Sequence, residues 1–178
     1  MPKLVVIRGN SGSGKSSVAN EVRARYGRGC ALVEQDYLRR IVLRERDSRH
    51  DPDGRNAPDL IANTTLFALE RGYHVVLEGM LWTGRYRDML TDLLKSADES
   101  YVFYLDVSFA ETIRRHATRP QASEFTPEQM RTWYEAQDTL GTDGEHVIPE
   151  SSTSTETVDF IVSTTALWRP PEAREQRE

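Results

Sequence analysis

Residues 9–16 read Gly-Asn-Ser-Gly-Ser-Gly-Lys-Ser and satisfy the pattern G-x-x-x-x-G-K-[ST] without a mismatch. The chemistry such spacing serves is the holding of phosphates. Gly9, Gly12 and Gly14 let the backbone take conformations closed to other residues and come close to an anion. Successive N–H groups through Asn10, Ser11 and Ser13 then form a nest, and the following helix adds its positive end. Lys15 is expected to reach the β- and γ-phosphates of a nucleotide. The Ser16 hydroxyl is the expected Mg²⁺ ligand, and Ser17 starts the body of the helix. An apolar run over 4–7 and a helical pattern over 17–26 supply the strand and helix that this motif requires.

Three further groups carry possible chemistry. Asp36, in Val33-Glu34-Gln35-Asp36-Tyr37, follows the second apolar run. A carboxylate there can accept the proton of an attacking hydroxyl during phosphoryl transfer, or it can cap the helix that follows. Glu78 ends the third run and precedes Gly79. It holds a metal-bound water or a substrate hydroxyl, or is simply an acid at a strand end. Arg114, Arg115, His116 and Arg119 bring four possible cations together. Arg115 and Arg119, four apart, share a helix face, and arginine can stabilise charge on a moving phosphoryl group bidentately. The alternative is a solvated basic face, and His116 reads as a surface histidine. Trp82, Arg85, Tyr86 and Arg87 either orient an acceptor or pack the start of a helix.

The elements that must position these groups alternate along the chain. Apolar runs at 4–7, 31–33, 73–77, 101–105 and 146–148 read as strands. Helical patterns fall at 16–26, 36–46, 57–71, 84–96, 108–117, 126–140 and 154–167. This alternation implies a three-layer α/β sandwich, a five-stranded parallel sheet in the order 2-3-1-4-5 with helices on both faces. Ser108 and Glu111 have the form of a capping box, and Thr126-Pro127 that of a threonine cap with proline at the first helical position. Residues 47–58 and 120–125 read as loops, and 169–178 as a charged tail beyond a domain over 1–168.

The 178 residues suit one domain, and 28 acidic against 23 basic residues give a net charge of -5. That balance speaks against a non-specific duplex binder, which would carry a basic excess. Cys30 is the single cysteine, so no internal disulfide framework exists, and it reads as a buried strand thiol. With neither a signal peptide nor a membrane-spanning run, a soluble cytoplasmic protein is expected.

Taken together, the segments quoted resemble the P-loop kinases of the nucleoside and nucleotide kinase group. The likeness is to the kinase domain of phage-type polynucleotide kinases and to chloramphenicol phosphotransferases. Glu34-Gln35-Asp36-Tyr37 resembles the segment supplying the general base in both, which makes Asp36 the base. The polynucleotide kinase pattern has an arginine soon after it. Here Leu38 stands near that place, and Arg39 and Arg40 follow, with Arg39 the candidate for substrate binding. Residues 106–115 resemble the approach to a lid, placed at about 114–127, with Arg119 or Arg115 the catalytic lid arginine.

The resemblance implies ATP, Mg²⁺ and transfer of the γ-phosphoryl group to a hydroxyl; Glu78, by its place at a strand end, and Arg85, by its place after Trp82, are the candidates for binding the acceptor. A small nucleoside-, sugar- or antibiotic-like molecule is the expected acceptor. The alternatives are a polynucleotide 5′-hydroxyl and, in another class, an ATPase switch without phosphotransfer.

Overall fold

The computed structural model describes residues 1–45, 53–118 and 125–168. Strands β1 (Lys3–Gly9), β2 (Cys30–Glu34), β3 (His74–Gly79), β4 (Glu99–Asp106) and β5 (Glu145–Pro149) form one sheet. All pair in parallel, in the order β2-β3-β1-β4-β5. Helices α1 (Lys15–Tyr26), α2 (Asn56–Glu70), α3 (Thr83–Ser96), α4 (Phe109–His116), α5 (Pro127–Thr132) and α6 (Ser154–Thr165) surround it.

Strand β1 shows why its sequence is apolar without alternation. Val5 and Ile7 pack on one face with Val18 and Val22 of α1 and Ile161 of α6. Leu4 and Val6 pack on the other with Ile61 of α2 and Leu90 and Leu93 of α3. A central parallel strand buried on both faces has no solvent side to mark with polar residues. Cys30 lies in the first of these cores, and burial pushes its thiol up to about 11, where it is inert.

Two expected helices differ. The helix read over 36–46 is a six-residue π-helical segment, Tyr37–Val42, in which the Leu43 N–H donates to the Leu38 carbonyl. Arg44 then takes a left-handed φ of 55°, which ends the helical run. The helix read over 126–140 stops at Thr132. Beyond it, side chains from elsewhere take the backbone groups a helix would have used. Asn10 both donates to the Glu135 carbonyl (2.7 Å) and accepts from its N–H (3.0 Å). The Tyr104 hydroxyl accepts from the Asp138 N–H, and Glu145 accepts from the N–H groups of Leu140 and Gly141. Spacing alone cannot see such distant partners.

The threonine cap at Thr126 is a complete capping box. Ser108 makes half of one, because Glu111 turns its carboxylate to Arg114 and Arg115 instead. His116 is buried, with Nε2 3.2 Å from the Phe125 carbonyl, so it is not the surface histidine expected. Of the expected loops, residues 47–52 and 120–124 lie outside the described residues, as does the tail over 169–178. α2 begins at Asn56, inside the span read as a loop.

Candidate active site

The C-terminal ends of the five parallel strands collect the chemistry, as open α/β sheets do. From β1 the chain enters the glycine-rich loop. Gly12 (φ 84°) and Gly14 (φ 98°) are left-handed, and a Cβ on Gly12 would stand 2.6 Å from the Thr112 carbonyl oxygen. Gly12 therefore does two things at once: it turns the loop and lets it pack against α4. Gly14 is the N-cap of α1 and leaves its first amides to a ligand. Lys15 is 8% exposed, and its Nζ donates to the Asn10 carbonyl (3.3 Å). Ser17 lines the adjoining cavity, while Ser11 is half-buried in the loop. The Asn10 side chain faces away from the loop toward Glu135, so only its backbone is left to a phosphate.

Glu78 lies between these parts. It pairs in register with Ile7 of β1 and Glu34 of β2, and its Oε2 accepts from the Ser16 hydroxyl at 3.2 Å. Burial pushes its carboxyl above the ordinary carboxylate range. Lys15 and the Ser16 hydroxyl pull the other way, while Asp36 and Glu34 add to the rise. Among the described residues no cluster of three or more His, Cys, Asp or Glu could hold a metal. A serine hydroxyl and one carboxylate nevertheless fit Mg²⁺, which takes few protein oxygens beside phosphates and water.

The raised value makes a prediction. Below the unfolded-state value both states bind the proton, and Glu78 costs the fold nothing. As pH rises through the folded-state value, the ionised carboxylate increasingly disfavours the fold. Glu78→Gln should therefore raise Tm by about 2–5 °C at pH 8 and have little effect near pH 4, while weakening Mg²⁺-dependent ATP binding. Differential scanning fluorimetry across that range checks it; equal shifts at both ends would overturn it.

Asp36, two residues past the end of β2, makes no cap hydrogen bond to the π-helical segment, and its carboxylate is about half exposed. Arg39 Nη2 stands 3.9 Å away. Arg85 is tied down: its Nε donates to the Gly54 carbonyl, and its Nη2 lies 3.8 Å from Glu45. Arg115 bridges α4 to the nucleotide side. Its Nη1 donates to the Ser13 carbonyl (2.9 Å), its Nη2 to the Glu150 carbonyl (3.0 Å) and its Nε to Glu111 (2.7 Å). Arg114 and then Arg115 hold the Glu111 carboxyl down to about 2. Arg119 lies outside the described residues. Beside Arg115 a cavity of about 340 Å³ opens between the loop and the β5–α6 connection, with Val18, Ile148, Pro149 and Ser152 among its walls.

Sequence reasoning missed one network. Arg8 is fully buried and donates to the Leu81 carbonyl, to Asp138 (3.0 Å) and to Glu145 (3.2 Å). The Gln35 side chain accepts from the Leu81 N–H, and Leu81 is held at φ 45°. Asp138 accepts from the Thr83 N–H and its hydroxyl, capping α3 from 55 residues away. This network fixes Trp82 and the start of α3 against the end of β1. The available signal was Arg8 itself, a charge closing an apolar strand, which needs buried carboxylates as partners.

A parallel sheet ordered 2-3-1-4-5 with a phosphate loop after its first strand is the P-loop kinase fold. A family model described as an AAA domain matches residues 4–140, and the chain belongs to that family. Solved structures agree on the fold. A gluconokinase from Sinorhizobium meliloti 1021 superposes with a TM-score of 0.68 at 23% identity, covering 93% of this chain and 92% of its own. A sugar kinase from Janibacter sp. HTCC2649 gives 0.67 at 16%, covering 96% and 100%. The Mycobacterium tuberculosis APS kinase CysC, solved with AMPPNP and APS, gives 0.66 at 16%, covering 93% and 96%. No curated protein matches the chain by sequence. Among the described residues no helix is long and apolar enough to cross a membrane.

Proposed function

We propose that the protein is an ATP-dependent phosphotransferase that moves the γ-phosphoryl group of ATP to a hydroxyl of a small molecule. The observation that carries this reading is the placement of Asp36. Its carboxylate stands on the same sheet edge as the phosphate loop, is about half exposed and caps nothing. A holder of phosphates with a base beside it is what transfer to a hydroxyl needs. The similar structures support a small acceptor, being a gluconokinase, a sugar kinase and a kinase solved with APS. The sequence likeness to polynucleotide and chloramphenicol kinases is compatible with the same chemistry.

In this reading the loop amides and Lys15 hold the phosphates. Ser16, supported by Glu78, would hold Mg²⁺, which when bound neutralises phosphate charge. Asp36 takes the proton of the acceptor hydroxyl as its oxygen attacks the γ-phosphorus. The bond to the β–γ bridging oxygen breaks, and ADP leaves with that electron pair. Arg115, already on the loop at Ser13, neutralises charge on the transferring group. Arg39 and the α3 N-terminal region face the acceptor.

The test is a screen of hydroxyl acceptors with Mg²⁺ and ATP, read as ADP release. Sugars, sugar acids, nucleosides, aminocyclitols and an oligonucleotide with a free 5′-hydroxyl form the panel. Acceptor-dependent ADP release with a small molecule supports the proposal. Release confined to the oligonucleotide would move the assignment to polynucleotides. Acceptor-independent hydrolysis alone would point to an ATPase switch.

A further inference from the structure

Little on its own side of the chain aims Asp36. Its carboxylate makes no cap hydrogen bond, Arg39 Nη2 stands 3.9 Å away, and none of residues 37–42 is buried. The ladder between β2 and β3 ends at Glu34 and Glu78, two residues before it. A general base must nevertheless sit within hydrogen-bond reach of the hydroxyl whose proton it takes. The residue that precedes it, Gln35, supplies the missing constraint.

Gln35 is 4% exposed, and its side chain crosses to the connection between β3 and α3. There Oε1 accepts from the Leu81 N–H at 3.0 Å. Two features show that the fold is built around this contact. Gly79 is not left-handed, so its backbone conformation does not demand glycine. The demand is for room: a Cβ on Gly79 would stand 2.5 Å from the Gln35 Cβ and would also strike its Oε1 and Cδ. Leu81 is left-handed at φ 45°, a conformation that costs a non-glycine residue free energy and persists only where its surroundings hold it. Both of its backbone groups are held, the N–H by Gln35 and the carbonyl by Arg8 Nε (3.2 Å) and Nη2 (2.9 Å). Arg8 is fully buried and fixed in turn by Asp138 and Glu145.

We infer that Gln35 is a positioning residue for Asp36, aiming the base by tying its neighbour to Leu81 and, through Leu81, to Arg8. This deepens the phosphotransferase reading and rests on it. Arg8 directly precedes Gly9, where the phosphate loop begins. The tie therefore sets the base in the frame that carries the phosphates. Backbone pairing alone does so less directly, because β3 lies between β2 and β1 in the sheet.

The experiment uses Gln35→Met in the full chain, which keeps the length of the side chain and removes the acceptor atom. Turnover is read as ADP release with ATP, Mg²⁺ and gluconate, ribose, adenosine or streptamine, and calorimetric titration counts the ATP sites. Gln35→Met should lower acceptor-dependent kcat per ATP site by about 10–10²-fold, with the ATP Kd and the acceptor KM within about twofold, because a displaced catalytic group costs rate rather than binding. The same substitution made in Asp36→Asn should cost less than about twofold further, since the carboxylate through which Gln35 acts is gone. Gly79→Ala, which strikes the same contact from β3, should reproduce both results. A variant that only folds less well would show fewer ATP sites and an unchanged rate at each, which overturns the inference. So would full turnover in Gln35→Met, or a loss repeated in full on Asp36→Asn. Each of these leaves the phosphotransferase reading standing. If no acceptor raises ADP release in the parent while ATP still binds, both fall together.

Discussion

Lys15→Ala should lower acceptor-dependent ADP release by about 10³-fold or more, the largest effect expected of any single substitution in the loop. Lys15 is 8% exposed and stands at the first position of α1, where the helix terminus and its own charge act on the same phosphates. Charge placed in a dry site is worth far more than the same charge in water. The loss extends to Glu78. Lys15 pulls the Glu78 carboxyl down, opposing the rise that burial causes. Without the lysine that carboxyl rises further, and the acid that supports Ser16 is more often protonated. Raising the pH should then recover part of the Mg²⁺-dependent ATP binding in Lys15→Ala but almost none of the turnover. Calorimetric titration of ATP at pH 7 and pH 9, beside steady-state rates, separates the two. Turnover within tenfold of the parent would remove Lys15 from the transition state.

What the sequence disclosed follows from the range of each interaction. The loop was legible because its glycines, lysine and serine act through backbone conformation and local reach, all within eight residues. The strand order was legible because apolar runs and the phosphate loop leave few ways to arrange a parallel sheet. Asp36 and Glu78 were legible as strand ends. The segment after α5 was not. Its conformation is dictated by Asn10, Tyr104 and Glu145, which lie between 4 and 125 residues from the groups they bind. Asn10 shows the limit most clearly: its place in the motif says phosphate, yet its side chain serves Glu135. Asp138 carries no local signal at all, since an acid in a polar stretch looks solvated until Arg8 and Thr83 are brought to it. Arg85, which follows Trp82, carries no local signal that separates orienting an acceptor from packing a helix start, and its contact with the Gly54 carbonyl is 31 residues away.

Asp36→Asn should lower turnover by about 10²–10⁴-fold and leave ATP affinity within about twofold. The asparagine keeps the shape of the side chain and removes only the ability to take a proton. Nothing in the fold depends on the carboxylate, which makes no cap hydrogen bond and whose pairing with Arg39 is long and half exposed. A stability loss therefore cannot explain a fall in rate, and Tm should stay within about 2 °C. Asp36→Glu should restore part of the rate, since it returns the carboxylate at a longer reach. Two results would sink the assignment of Asp36 as base: turnover equal to the parent, or a reduced rate that Asp36→Glu does not restore at all. The second would transfer the role to Glu78, the carboxylate at the end of β3 whose Oε2 accepts from the Ser16 hydroxyl, and Glu78→Gln should then lose turnover as fully as Asp36→Asn.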